Sequence, residues 1–132
     1  LQVFRNGIIE AVDASILQPE SGKLTIPSLL FERVLLDALP RFLSIQKQIG
    51  VESPFLFMIS LLGVSSYTMS SNNPRVHTYP IDRDALILPE IIVENFECNP
   101  SEVMKPIFDA IWNAAGWPRS MNYDENGERV RQ

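Results

Sequence analysis

"IPSLLFERVLLDALPRFLSIQKQIG", residues 26–50, carries the longest regular apolar pattern in the chain. Leu30, Val34, Leu35, Ala38, Leu39, Phe42, Leu43 and Ile45 recur at three- and four-residue spacing, as on one face of an α-helix. Pro27 suits the first turn, where a backbone N–H has no partner anyway, and Gly50 suits the stop. Pro40 falls inside the pattern and removes a helical hydrogen bond, so it should kink the helix or split it. This stretch is the largest amphipathic surface of the domain.

On its N-terminal side, "VFRNGIIEAV", residues 3–12, sets Asn6-Gly7 between apolar runs. Asn-Gly supplies the positive φ values of a two-residue β-hairpin turn. "QPESGK", residues 18–23, reads as an exposed loop. On the C-terminal side, "PFLFMISLLGV", residues 54–64, is continuously apolar and within strand length, which predicts a central strand buried on both faces. "SSNNPR", residues 70–75, is a loop. "ALILPEIIVENF", residues 85–96, is a second β-branched run, and Pro89 makes it an edge or bulged strand. "NPSEVMKPIFDAIWNAAG", residues 99–116, predicts a second helix with Ser101 as N-cap, Glu102 in the first turn and Gly116 as terminator. The expected fold is a single α+β domain over residues 1–132, a mostly antiparallel sheet with helices on one face and no internal repeat.

Composition excludes several function classes. A chain of 132 residues is long enough for one real core, and 45% hydrophobic residues argue against disorder. The formal charge of -5 makes nonspecific binding to nucleic-acid phosphates by this chain an unfavourable reading. A local patch at Arg119, Arg129 and Arg131 is where phosphate would bind if it did. One cysteine, Cys98, allows no internal disulfide, and with the one histidine, His77, it cannot build a Cys/His zinc site. A reducing cytoplasm is the simplest home, and no apolar run is long enough for a membrane span. The chain begins without Met, in what reads as a strand pattern, which suggests a piece of a longer protein.

The residues that could carry chemistry are isolated from one another. Neither a P-loop nor GxGxxG occurs, and no GxSxG elbow accompanies His77, which lies in the polar, proline-flanked "NNPRVHTYP". Cys98 precedes a helix whose dipole could lower its pKa, but a small residue that simply packs there is the plainer reading. Asp82 and Asp84 flank Arg83; on a strand they would share a face for acid–base work, and in a turn they are solvated. Asn122, Asp124, Asn126 and Gly127 follow the opening spacing of an EF-hand calcium loop, yet the closing Glu would fall past residue 132, so a turn with positive φ at Asn126 or Gly127 is expected. No catalytic residue, cofactor or metal site is assigned.

"FDAIWNAAGWPRSMNYDENG", residues 108–127, holds both tryptophans. Phe108, Ile111 and Trp112 share a helical face and are expected to pack against the sheet. Trp117, Arg119 and Tyr123 lie beyond Gly116. They either close over the helix end or form an exposed contact patch, which would also be the place for a small-ligand pocket.

Together, "IPSLLFERVLLDALPRFL", "ESPFLFMISLLGV", "LILPEIIVENF" and "PIFDAIWNAAGWPRSMNYDENG" resemble the C-terminal module that follows an AlbA_2 or Schlafen-type domain in bacterial proteins described as DNA-binding, helix-turn-helix or ATP-binding. The resemblance covers most of the chain and is most specific at residues 106–124. It implies an accessory, regulatory or interaction module of a DNA-binding or transcription-regulator-type protein. The nucleic-acid or nucleotide function would belong to an upstream domain of the same chain, and the family supplies no catalytic residues to carry over. Self-association through the long helix or an edge strand is a further expectation.

Overall fold

The structure, a computed structural model, describes residues 1–130. The chain is α+β, with two helices and short, mainly antiparallel strands. In order these are β1 (Gln2–Val3), β2 (Ile9–Glu10), β3 (Thr25–Ile26), α1 (Ser28–Gln48), β4 (Phe55–Phe57), β5 (Ser60–Leu62), β6 (Thr68–Met69), β7 (Ala85–Ile87), β8 (Ile91–Val93) and α2 (Pro100–Ala114).

α1 runs unbroken through Pro40, so the chain is not split there. Pro40 sits on the exposed side, away from the core contacts that hold the helix together. The buried stripe is Ser28, Phe31, Glu32, Leu39 and Leu43. Leu30, expected on that face, is instead about half exposed. Gly50 ends the helix as predicted: Gly50 N donates to Lys47 O at 3.2 Å and Val51 N to Gln46 O at 2.9 Å, the paired bonds of a Schellman motif.

The N-terminal hairpin forms, but not through a two-residue turn. Val3 pairs with Ile9, Gly7 N donates to Phe4 O at 3.0 Å, and Phe4 N donates to Ile8 O at 2.8 Å. Only Gly7, at φ +86°, is left-handed; Asn6 instead accepts from Ile8 N through its side chain at 3.2 Å. A Cβ at residue 7 would collide with Val51, so the glycine also lets the hairpin lie against the end of α1. Two consecutive left-handed residues occur at Ser21-Gly22, where Lys23 N closes a turn onto Glu20 O at 2.9 Å.

The apolar run 54–64 departs most from expectation. It is not a strand buried on both faces. β4 pairs antiparallel with β8 (Phe55 opposite Val93, Phe57 opposite Ile91), and β5 pairs antiparallel with β7 (Ser60 opposite Ile87, Leu62 opposite Ala85). Between the two ladders Met58-Ile59 face Leu88-Pro89-Glu90, with Leu88 N donating to Ile59 O at 3.1 Å. The extra residue is a β-bulge at Pro89, so the ladders are successive parts of one two-stranded ribbon. Along it burial alternates: Phe55, Leu61, Leu86, Leu88, Ile91 and Val93 point into the core, and their neighbours point to solvent.

One strand pair is parallel, β3 with β6 (Thr25 opposite Thr68, Ile26 opposite Met69), an addition to the expected antiparallel set. The helix at 99–116 forms with a shifted cap. Asn99, not Ser101, is the N-cap; its Oδ1 accepts from Ser101 N and its Nδ2 donates to Glu102 Oε1, both at 3.1 Å, while Pro100 takes the first helical position. Met104, Ile107, Phe108, Ile111 and Trp112 form its buried face, which packs on α1 and on β8. The Phe31 and Phe108 rings meet edge-on at 6.4 Å.

Candidate interaction surface

The segment after α2 turns back over both helices and is held by a buried polar cluster. Glu32, in the middle of the α1 stripe, has no solvent exposure. Its Oε1 accepts from Trp112 Nε1 at 3.2 Å and from Ser120 Oγ at 2.6 Å, and its Oε2 accepts from Arg129 Nη1 at 2.6 Å. Asp109 adds a second tie, accepting from Ser120 N at 2.9 Å and from Lys105 Nζ at 2.6 Å. A buried carboxylate is tolerable only with such donors around it. Because Glu32 and Ser120 are both sealed, the cluster joins the C-terminal segment to α1 and offers no surface for a substrate.

Trp117, Arg119 and Tyr123 do not form one exposed patch. Tyr123 is 4% exposed, its ring tilted against that of Phe108 at 6.2 Å between centroids. Its hydroxyl donates to Ser101 O at 2.9 Å and accepts from Ser101 Oγ at 3.1 Å. Burial pushes this phenol's pKa above its ordinary 10.0, and the hydrogen bonds to Ser101 and Arg129 work in the other direction. The Arg119 guanidinium donates to Asp124 O at 2.7 Å and fastens its own loop. Trp117 remains half-buried, donating from Nε1 to His77 O at 2.7 Å. With Arg75, His77, Tyr79, Gly116 and Pro118 it lines a shallow groove of about 410 Å³, open to solvent.

The other candidate residues are placed as follows. His77 is exposed in its loop, and Cys98 is half-buried against the core edge. Asp82 pairs with Arg83 at 2.8 Å in an exposed bend, and that hydrogen bond holds its carboxyl below the usual range, the wrong direction for a general acid. Asp124 Oδ1 accepts from Asn126 N and Glu128 N, each at 2.9 Å, with Gly127 left-handed: the expected turn. Among the described residues no three His, Cys, Asp or Glu side chains are grouped to hold a metal ion, and no helix is long and apolar enough to cross a membrane. Of the proposed basic patch, Arg119 and Arg129 are engaged internally and Arg131 lies outside the described residues.

The surface that stands out is the outer face of the ribbon. Leu56, Met58, Leu62, Ile87 and Ile92 are each between 56 and 78% exposed and lie on the same side. Leu56 stands directly opposite Ile92. Single exposed apolar residues are ordinary, whereas a contiguous aliphatic face is uncommon on a surface left open to water. Phe4 and Ile8 of the hairpin extend it, forming a depression with Met58 and Glu10.

Sequence reasoning did not find Glu32, Ser120, Asp109 or this face. Glu32 carries a weak signal, a carboxylate on the stripe that also holds Leu39 and Leu43 at helical spacing. The ribbon carries none, because an apolar residue on the outer face reads the same as one on the inner. No family model, curated protein or solved structure compared with this chain matches it.

Proposed function

We propose that this chain is a non-catalytic interaction module. In this reading it is cytoplasmic and serves as an accessory or regulatory part of a bacterial DNA-binding or transcription-regulator protein of the AlbA_2/Schlafen type, with the nucleic-acid chemistry in an upstream domain. The observation that carries the interaction role is the aliphatic outer face of the ribbon, which no other part of the described chain covers. The engagement of Arg119 and Arg129 by internal acceptors supports a role other than phosphate binding.

The test compares the native chain with a Leu56→Ser/Leu62→Ser variant. Capture of a defined partner by the native chain, lost in a variant that keeps its circular dichroism and melting temperature, supports the reading. Duplex DNA binding by this chain alone, with affinity falling steeply as salt rises, sinks it.

A second reading is a small-ligand site in the groove beside Trp117, where two aromatic rings and the basic side chains Arg75 and His77 converge. It would suit a planar anion. Trp112 is fully buried, so a ligand there changes Trp117 fluorescence and the change disappears in Trp117→Phe. A change that persists in that variant rules the groove out.

A further inference from the structure

The ribbon face is not only apolar; it is bordered by carboxylates. Glu10 lines the depression beside Met58, and Glu90 sits at the bulge. Glu94 continues the outward alternation of Ile92, whereas Asp84, before β7, falls on the parity of the buried Leu86 and is not part of this border. Glu10, Glu90 and Glu94 are exposed, and none of the three has an ion-pair partner among the described residues. Of the cations beside these residues, Arg83 is held by Asp82, Arg5 stands in the hairpin turn, and Lys47 lies over the ring of Phe96, 5.7 Å from its centroid, without an ion pair to Glu94.

We propose that the outer face of the ribbon receives an amphipathic helix of a partner protein, apolar along one side and bordered by Lys or Arg. This deepens the interaction reading above and rests on it. Three observations select this occupant. A second copy of the chain would bring acidic border against acidic border, with a charge of -5 on each, and like charges across an interface oppose association. A basic border instead meets Glu10, Glu90 and Glu94, which adds attraction at the rim and speeds encounter. The inner face of the same ribbon packs on α2 through β8, so within the described chain a helix covers one face of this antiparallel ribbon and leaves the other to a partner's helix. The strand from residue 55 to 62 spans about 26 Å at roughly 3.3 Å per residue, which sets about 18 helical residues as the length that covers it.

The probes are three labelled 18-residue peptides titrated onto the whole chain by fluorescence anisotropy at low and moderate salt. One is amphipathic with Leu on one face and Lys on the borders, one has Glu at the border positions, and one has the Lys peptide's composition in scrambled, non-amphipathic order. The expected result is binding of the Lys-bordered peptide at least tenfold tighter than either control and weakened by salt. Leu56→Ser/Ile92→Thr should remove it, and Glu90→Gln/Glu94→Gln should weaken it severalfold, with circular dichroism unchanged in both. Equal binding of the Glu-bordered peptide overturns the charge assignment while leaving an interaction face. Equal binding of the scrambled peptide overturns the helix assignment. Sedimentation that shows self-association abolished by Leu56→Ser/Ile92→Thr overturns it in favour of a second copy, again leaving the interaction reading in place. If no peptide binds and the chain stays monomeric with no partner captured, both readings fail together.

Discussion

Glu32 and Arg129 are 97 residues apart in the chain and joined by a 2.6 Å salt bridge, the longest-range side-chain tie between α1 and the C-terminal segment. Arg129 also lies over the Tyr123 ring, 5.8 Å from its centroid, so one guanidinium links the buried carboxylate to the aromatic core.

Removing Arg129 leaves the buried Glu32 carboxylate unmatched, and removing Glu32 strands three donors, of which Arg129 is a quarter exposed. Glu32→Ala should therefore cost about 3–5 kcal/mol in urea unfolding, because the Arg129, Ser120 and Trp112 donors lose their acceptor together. Arg129→Met should cost a similar amount. Adding Glu32→Gln to Arg129→Met should recover part of the loss, since the neutral amide still accepts from Trp112 and Ser120. Additive losses in the double variant would mean the two side chains do not act as a pair.

Tyr123 gives the fold an alkaline limit. Its phenol pKa is raised by burial, so the folded state favours the protonated form more than the unfolded chain does. The stabilisation is fully present below pH 10.0, the ordinary value, and is lost as pH rises through the higher folded value. Tyr123→Phe should lower stability near pH 7 by about 1 kcal/mol through loss of the Ser101 bonds, and should flatten the alkaline limb of a stability–pH profile. An alkaline limb unchanged in Tyr123→Phe places the titrating group elsewhere.

Gly116 and Gly50 both end helices in the left-handed region, at φ +86° and +80°, but they differ in what surrounds them. A Cβ at 116 would stand 2.5 Å from Tyr79 Cδ2, whereas one at 50 meets nothing within 4 Å. Gly50→Ala should cost about 1–2 kcal/mol, the conformational term alone. Gly116→Ala should cost more, and Tyr79→Ala in that background should return the difference in melting temperature to the Gly50→Ala level.

What the sequence discloses follows from what a periodic pattern can encode. The α1 and α2 faces were legible because burial repeats with the helix, and Gly50 and Gly116 because a left-handed cap has few candidates. The break at Pro89 was legible because a missing N–H interrupts a ladder wherever it falls. The N-cap was misplaced by two residues because both Asn99 and Ser101 are good caps, and only the geometry shows which side chain reaches back. Glu32 was hidden because its partners come from residues 112, 120 and 129, which no local window contains. Tyr123 and Trp117 could not be separated in advance, since both follow the same terminator without a period; the tie to Ser101 fixes one in the core and the tie to His77 O leaves the other half-open.

The ribbon allows the sharpest comparison, because adjacent leucines sit on opposite faces. Leu61 is 7% exposed and lies opposite the buried Leu86, while Leu62 points out beside Ala85. Leu61→Ala should cost about 2–5 kcal/mol as a core deletion, and Leu62→Ala should change stability by no more than about 0.5 kcal/mol. The same contrast should hold for Phe55, inside, against Leu56, outside. A strand buried on both faces requires large losses at all four positions. Guanidinium melts of the four alanine variants therefore decide between the two registers, and they decide more than register. Leu56 and Leu62 contribute little to folding if they face solvent, so any loss of partner binding in their variants reports the surface itself and not a damaged fold.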